Sequence, residues 1–243
     1  MNIPVFFLAK TELELVYVWN KATPEGKAII ILLITFSIVA WSIMASKAVQ
    51  MRRAKRLNQY FGAEFRVQPT VLAIFDRRIQ VDGCPLFAVY QEGCMELDSR
   101  LKAGDVARKV KQVSLKSMEH VKRTLERAVS QEALKLESGL IHLALAVSGA
   151  PFLGLLGTVW GVMSAFSDVA LQGRADLAAL APGVSSALVT TVAGLLVAIP
   201  SMFGYNWLVH NLRALTVELD NFAQQLVSKM EIEFLKDDDA TGT

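Results

Sequence analysis

No aspartate, glutamate, lysine or arginine occurs in residues 28–46, 138–167 or 177–212 of this sequence. Elsewhere charge is plentiful, with 25 Lys/Arg and 23 Asp/Glu making up 20% of the 243 residues. A chain that is 53% hydrophobic, with mean hydropathy +0.37, is not an ordinary soluble domain. One so charged is not wholly buried in lipid either, so the two populations are segregated along the chain. Cysteine is scarce. Cys84 and Cys94 are too far apart for a CxxC pair and read as buried or half-buried thiols in a reducing compartment, which excludes a disulfide framework. Also missing are a Walker loop, a GxGxxG turn and a Ser/His/Asp set, and His142 and His210 stand without HExxH or Cys/His spacing. Neither an enzyme nor a metal or cofactor site is expected.

What is there begins with length. A hydrocarbon core about 30 Å thick takes about 20 residues of helix, so each uncharged window can cross it once. The first window is followed by Lys47, Arg52, Arg53, Lys55 and Arg56 rather than a small-residue cleavage site, so it reads as a retained helix. Residues 47–137 carry 18 Lys/Arg against 11 Asp/Glu, a net of +7, while 1–26 carries two lysines against three glutamates. The positive-inside rule then places 47–137 in the cytoplasm and the N-terminus outside.

The fold class expected is an all-α integral membrane protein with three transmembrane helices and long helices extending into the cytoplasm. In order, 1–26 is an external interfacial helix, 27–46 the first span and 47–137 a cytoplasmic helical domain. The second span is 138–167, a short external loop covers 168–176, the third span is 177–208, and 209–243 is a cytoplasmic helix with a frayed tail. Thr23 is the expected N-cap of the first span, with Pro24 its first helical residue and Glu25 in its first turn. Pro69, Gly83, Pro85 and Gly93 break 66–95 into shorter helices, and the apolar spacing from Val106 to Leu134 predicts a long amphipathic helix running directly into the second span. Its charges alternate in sign and lack interleaved aromatics, which argues against nucleic acid.

The second and third spans differ in kind from the first, which can face lipid along most of its surface. Gly154, Thr158, Gly161 and Ala165 recur at four, three and four, and Ala187, Thr191, Gly194 and Ala198 repeat the spacing. Lipid needs no such residues, whereas close helix packing does, and Gly157 belongs to the same set. Two small faces, each with a threonine, either pack tightly or line a narrow passage. Pro151, Pro182 and Pro200 are candidate kinks, and the bulky Leu155, Trp160, Leu188 and Leu195 are packing residues. Neither span contains a carboxylate or a cationic side chain, which an ion relay within a membrane normally needs. If the spans enclose an ion path, the titrating group comes from another polypeptide.

Ala150-Pro-Phe-Leu-Gly-Leu-Leu-Gly-Thr-Val-Trp-Gly-Val-Met163, with Ala165-Phe166, resembles the second-span signature of the ExbB/TolQ proton-channel family. Ala181-Pro-Gly-Val-Ser-Ser-Ala-Leu-Val-Thr-Thr-Val-Ala-Gly-Leu-Leu-Val-Ala-Ile-Pro200, with Tyr205-Asn206, resembles its third-span signature. MotA-type stator subunits, with four spans, resemble the chain less. The resemblance implies a multi-pass protein of the bacterial inner membrane. Five copies ring a pore holding two single-span ExbD/TolR-like partners, and an aspartate on the partner helix carries the proton. It maps the pore threonines onto Thr158 and Thr191, with Thr190 and Ser186 beside them along the path. Ser186 stands where the family commonly has glutamate. A non-conducting scaffold, and a stator using another ion or driving motility, remain as alternative readings.

Overall fold

A computed structural model describes residues 23–103, 112–172 and 177–235. Residues 1–22, most of the expected interfacial helix, lie outside the described residues, as do 104–111, 173–176 and the expected frayed tail from 236. The described residues are helical throughout apart from turns and one parallel bridge between Val113 and Leu235. The helices are α1 (Pro24–Val67), α2 (Ala73–Asp76), α3 (Pro85–Ala103), α4 (Leu115–Glu137), α5 (Leu140–Gln172) and α6 (Leu177–Phe234). The protein is all-α, and α1, α5 and α6 are each long and apolar enough to cross a membrane.

The chain divides into two compact units. One contains residues up to Ser46 and Gly139–Trp207; the other contains Lys47–Ser138 and the chain from Leu208. In the first unit, α1 starts where the sequence predicts. The Thr23 hydroxyl accepts the Gly26 N–H at 3.2 Å, and Pro24 is the first helical residue. The hydroxyls of Thr35, Ser148 and Ser201 each donate to the carbonyl one turn back, at 3.0, 3.0 and 2.7 Å. That is how a polar side chain is tolerated where neither water nor a partner helix satisfies it.

The first span is not free of partners. Gly26, Leu33 and Ala40, seven residues apart, are its buried positions, and Leu33 packs with Ala150, Val197 and Ala198. A seven-residue period keeps one stripe of a helix on a neighbour. The outward residues Ile31, Ile34, Ile38 and Trp41 are each more than half exposed. One side of α1 packs on protein, and the other is apolar and exposed.

The second unit is an ordinary apolar core. Phe61 and Phe65 of α1, Phe87 and Tyr90 of α3, and Phe222 of α6 interlock, with ring centroids 5.2–6.4 Å apart. Met118, Val121, Leu125 and Val129 bury the apolar face of α4. Cys84 and Cys94 are free and buried, and burial pushes the Cys94 thiol up to about 12, so neither is a reactive thiolate. Glu233 accepts the Val71 N–H at 2.7 Å and Lys229 donates to the Gln68 carbonyl at 2.7 Å, which fixes the turn after α1 to the end of α6.

Four expectations need correction. The amphipathic helix does not run into the second span: α4 ends at Glu137, and Gly139 takes φ +84°, a left-handed conformation suited to glycine, before α5 begins. Lys47 donates to the Leu136 carbonyl and the Ser138 hydroxyl at 3.3 Å each, placing a cation at that helix end. The amphipathic helix also starts later than its spacing suggested. Ser114 caps α4 by accepting the Ser117 N–H at 3.3 Å, Val113 precedes it in the bridge, and Val106 and Val110 lie outside the described residues. Gly93 breaks nothing; it lies inside α3, where a Cβ would stand 2.5 Å from the Leu125 side chain, so its role is close approach. Finally, α5 continues to Gln172, so residues 168–172 of the expected loop are helical.

Candidate functional site

The seam between α5 and α6 is built from glycines opposite backbone. A Cβ on Gly194 would stand 2.6 Å from the Ala150 carbonyl oxygen and 3.1 Å from Gly154 Cα. One on Gly154 would stand 2.9 Å from the Thr190 carbonyl, and one on Gly161 would stand 2.7 Å from Ala187 Cβ. Gly157 faces the Thr190 side chain, again too close for a Cβ at 2.5 Å. Only hydrogen fits at these positions, and the backbones approach as small residues in membrane helices allow.

Close approach lets hydroxyls of one helix reach carbonyls of the other. Thr158 Oγ1 lies 3.2 Å from the Gly154 carbonyl in its own helix and 3.2 Å from the Ala187 carbonyl across the seam. Thr191 Oγ1 lies 3.1 Å from the Gly154 carbonyl, and the Thr158 and Thr191 hydroxyls touch each other. Thr190 Oγ1 reaches Ala187 O at 2.6 Å and Gly154 O at 3.0 Å. Three hydroxyls therefore converge on two carbonyl oxygens.

The four residues placed along the path from sequence differ in burial. Thr158 and Thr191 are partly exposed, on the rim of the seam. Thr190 is 1% exposed and Ser186 4%, with the Ser186 hydroxyl donating to the Gly183 carbonyl at 2.9 Å. Thr190 thus points into the helix contact, away from the surface its neighbour presents. Ala198 packs with Leu33, Ala150 and Val197. Pro151 lies within α5, and Pro182 and Pro200 within α6; both helices continue through them. Leu155, Trp160, Leu188 and Leu195 are 42–54% exposed, on the outer faces.

Sequence reasoning missed Gly26 of α1. A Cβ there would meet the Thr190 methyl at 4.0 Å, so Thr190 sits where three helices meet, with Glu25 and Lys27 flanking the contact. The seven-residue spacing of Gly26, Leu33 and Ala40 was the available signal. Among the described residues no three His, Cys, Asp or Glu side chains are grouped as a metal site.

Residues 96–221, which include the whole threonine seam, match the MotA/TolQ/ExbB proton channel family. The chain belongs to this family. Among similar members, the biopolymer transport protein ExbB of Neisseria meningitidis serogroup A is 29% identical over 218 residues, covering 88% of this chain and 96% of that protein. The Tol-Pal system protein TolQ of Haemophilus influenzae is 28% identical over 225 residues, covering 89% and 93%. The ExbB of Xanthomonas campestris strain B100 is 42% identical over 113 residues, covering 46% and 45%. As an ExbB/TolQ-type protein with three apolar helices, the chain is a membrane protein of the bacterial inner membrane.

Proposed function

We propose that this ExbB/TolQ-type chain is the ring subunit of a motor driven by the proton motive force. Five copies surround an ExbD/TolR-like single-span partner whose membrane aspartate carries the proton, and the motor energises an envelope process such as outer-membrane transport. The basic 47–137 segment and the 209–243 segment face the cytoplasm, with the N-terminus outside. The observation that carries the reading is the meeting of Thr158 and Thr191 on the partly exposed rim of an otherwise uncharged seam.

A hydroxyl pair suits this work because it is neutral yet can donate to a carboxylate or accept from a carboxylic acid. A bare charge in an apolar lining is disfavoured, so the partner aspartate passes this level most easily when protonated. Donation from a threonine then stabilises the carboxylate once the proton leaves. Neutralisation and recharging in turn drive movement of the partner within the ring, and the supply of titrating groups stays with the partner.

The test is proton uptake into liposomes that hold the chain with its partner, under an imposed pH gradient. Uptake above the lipid leak is the expected result. A complex that assembles but passes no protons identifies a scaffold whose small residues serve packing alone, and uptake of sodium in place of protons identifies a different ion.

A further inference from the structure

Counting lone pairs at the seam assigns a separate role to the buried threonine. Gly154 O and Ala187 O each accept the backbone N–H four residues on in their own helices, leaving one lone pair apiece for a hydroxyl. Three hydroxyl protons compete for those two positions, at Thr158, Thr190 and Thr191. Thr190 makes the shortest of these contacts, 2.6 Å to Ala187 O, and at 1% exposure it has no outlet elsewhere. With Ala187 O taken, only Gly154 O remains for Thr158 and Thr191. One of their two protons must then sit between the two hydroxyls, where they touch. That surplus proton belongs to the partly exposed pair and can turn outward without breaking a bond to a carbonyl.

We propose that Thr190 is a positioning residue: by occupying Ala187 O from inside the seam, it keeps one proton of the Thr158–Thr191 pair available to an incoming carboxylate. The inference rests on the pore-threonine reading above. Without the Thr190 hydroxyl, Thr158 takes Ala187 O at 3.2 Å, Thr191 takes Gly154 O at 3.1 Å, and both protons are held inward. The pair then offers acceptors alone, which favours the protonated form of the carboxylate and moves its titration to higher pH. The surrounding charges are few. The sequence of α5 up to Ser167 and of α6 from Leu177 to Leu212 has no acidic or basic side chain except His142 and His210, 16 and 19 residues from the nearest of the threonines. On α1 the contact at Gly26 is flanked by Glu25 and Lys27.

Thr190→Val keeps the shape and removes the hydroxyl; Thr190→Ser keeps the hydroxyl. Both are measured in liposomes with the partner, beside the wild type and a Thr158→Val plus Thr191→Val double variant. Proton flux is recorded against pH, and assembly is checked by thermal unfolding. Thr190→Val is expected to assemble normally, lose about three- to tenfold in flux, the equivalent of about one hydrogen bond, and shift its pH midpoint upward. Thr190→Ser is expected to follow the wild type. A Thr190→Val profile matching the wild type, with the double variant slowed, overturns the positioning role alone. A serine variant as impaired as valine overturns it too, by showing that the methyl contact matters. A double variant that conducts normally overturns the pore-threonine reading and this inference with it.

Discussion

Gly194→Val is expected to destabilise the protein by about 1–3 kcal/mol and to abolish most proton flux. The first atom of any side chain at this position would lie 2.6 Å from the Ala150 carbonyl and 3.1 Å from Gly154 Cα. Both neighbours are backbone within long helices, so neither can rotate aside; α5 and α6 must separate. The same separation lengthens the hydroxyl contacts from Thr158 to Ala187 O and from Thr191 to Gly154 O, which begin at 3.2 and 3.1 Å. Hydrogen bonds weaken steeply beyond that range. A displacement of about 1 Å at a reacting centre costs on the order of a hundredfold in rate, so flux should fall further than stability. Gly149 supplies the control. A Cβ there meets nothing within 4 Å, so Gly149→Val should keep the unfolding temperature and flux of the wild type. Thermal unfolding in detergent and flux in liposomes check both variants.

The Thr158→Val plus Thr191→Val double variant is expected to fold and assemble, yet to conduct ten- to a hundredfold more slowly. Valine matches threonine in shape. Removing both members of a hydroxyl pair leaves no buried donor stranded; the Ala187 carbonyl keeps the Thr190 hydroxyl, and the Gly154 carbonyl keeps the N–H of its own helix. What is lost is a donor to a charged carboxylate in a water-poor site, which is worth about 1.5–3 kcal/mol. The measurement is the ratio of flux to the amount of assembled complex. A double variant with wild-type flux would remove the threonines from the proton path.

Much of the architecture was legible because its causes are local. The uncharged windows follow from the cost of charge in hydrocarbon, and the Thr23-Pro24-Glu25 start follows from unpaired N–H groups at a helix end. The four-three-four spacings put Gly154, Thr158 and Gly161 opposite Ala187, Thr191 and Gly194, because side chains on one helix face share one neighbour.

The misreadings have a common origin in three-dimensional context. Gly93 and Gly139 look alike in sequence, but one lets two helices touch and the other turns the chain, which only the packing and the backbone angles distinguish. The run from α4 toward α5 is apolar at helical spacing on both sides of Gly139, so periodicity carries no sign of the break. Thr190 and Thr191 are adjacent and chemically identical, yet lie about 100° apart around the helix. Which of them looks inward depends on where α1 and α5 lie, so residue type could not separate a rim hydroxyl from a buried one. The stripe on α1 was obscured by the bulky residues between Gly26, Leu33 and Ala40.

The central claim is that this chain supplies hydroxyls and a tightly packed wall, while the titrating group belongs to the partner. The most direct measurement is pH-gradient-driven proton uptake with three preparations in matched liposomes: the chain alone, the chain with its partner, and the chain with a partner whose membrane aspartate is replaced by asparagine. Uptake by the second preparation alone is the predicted result. Uptake persisting with the asparagine partner, or with the chain alone, would contradict the account by placing the proton carrier within this chain.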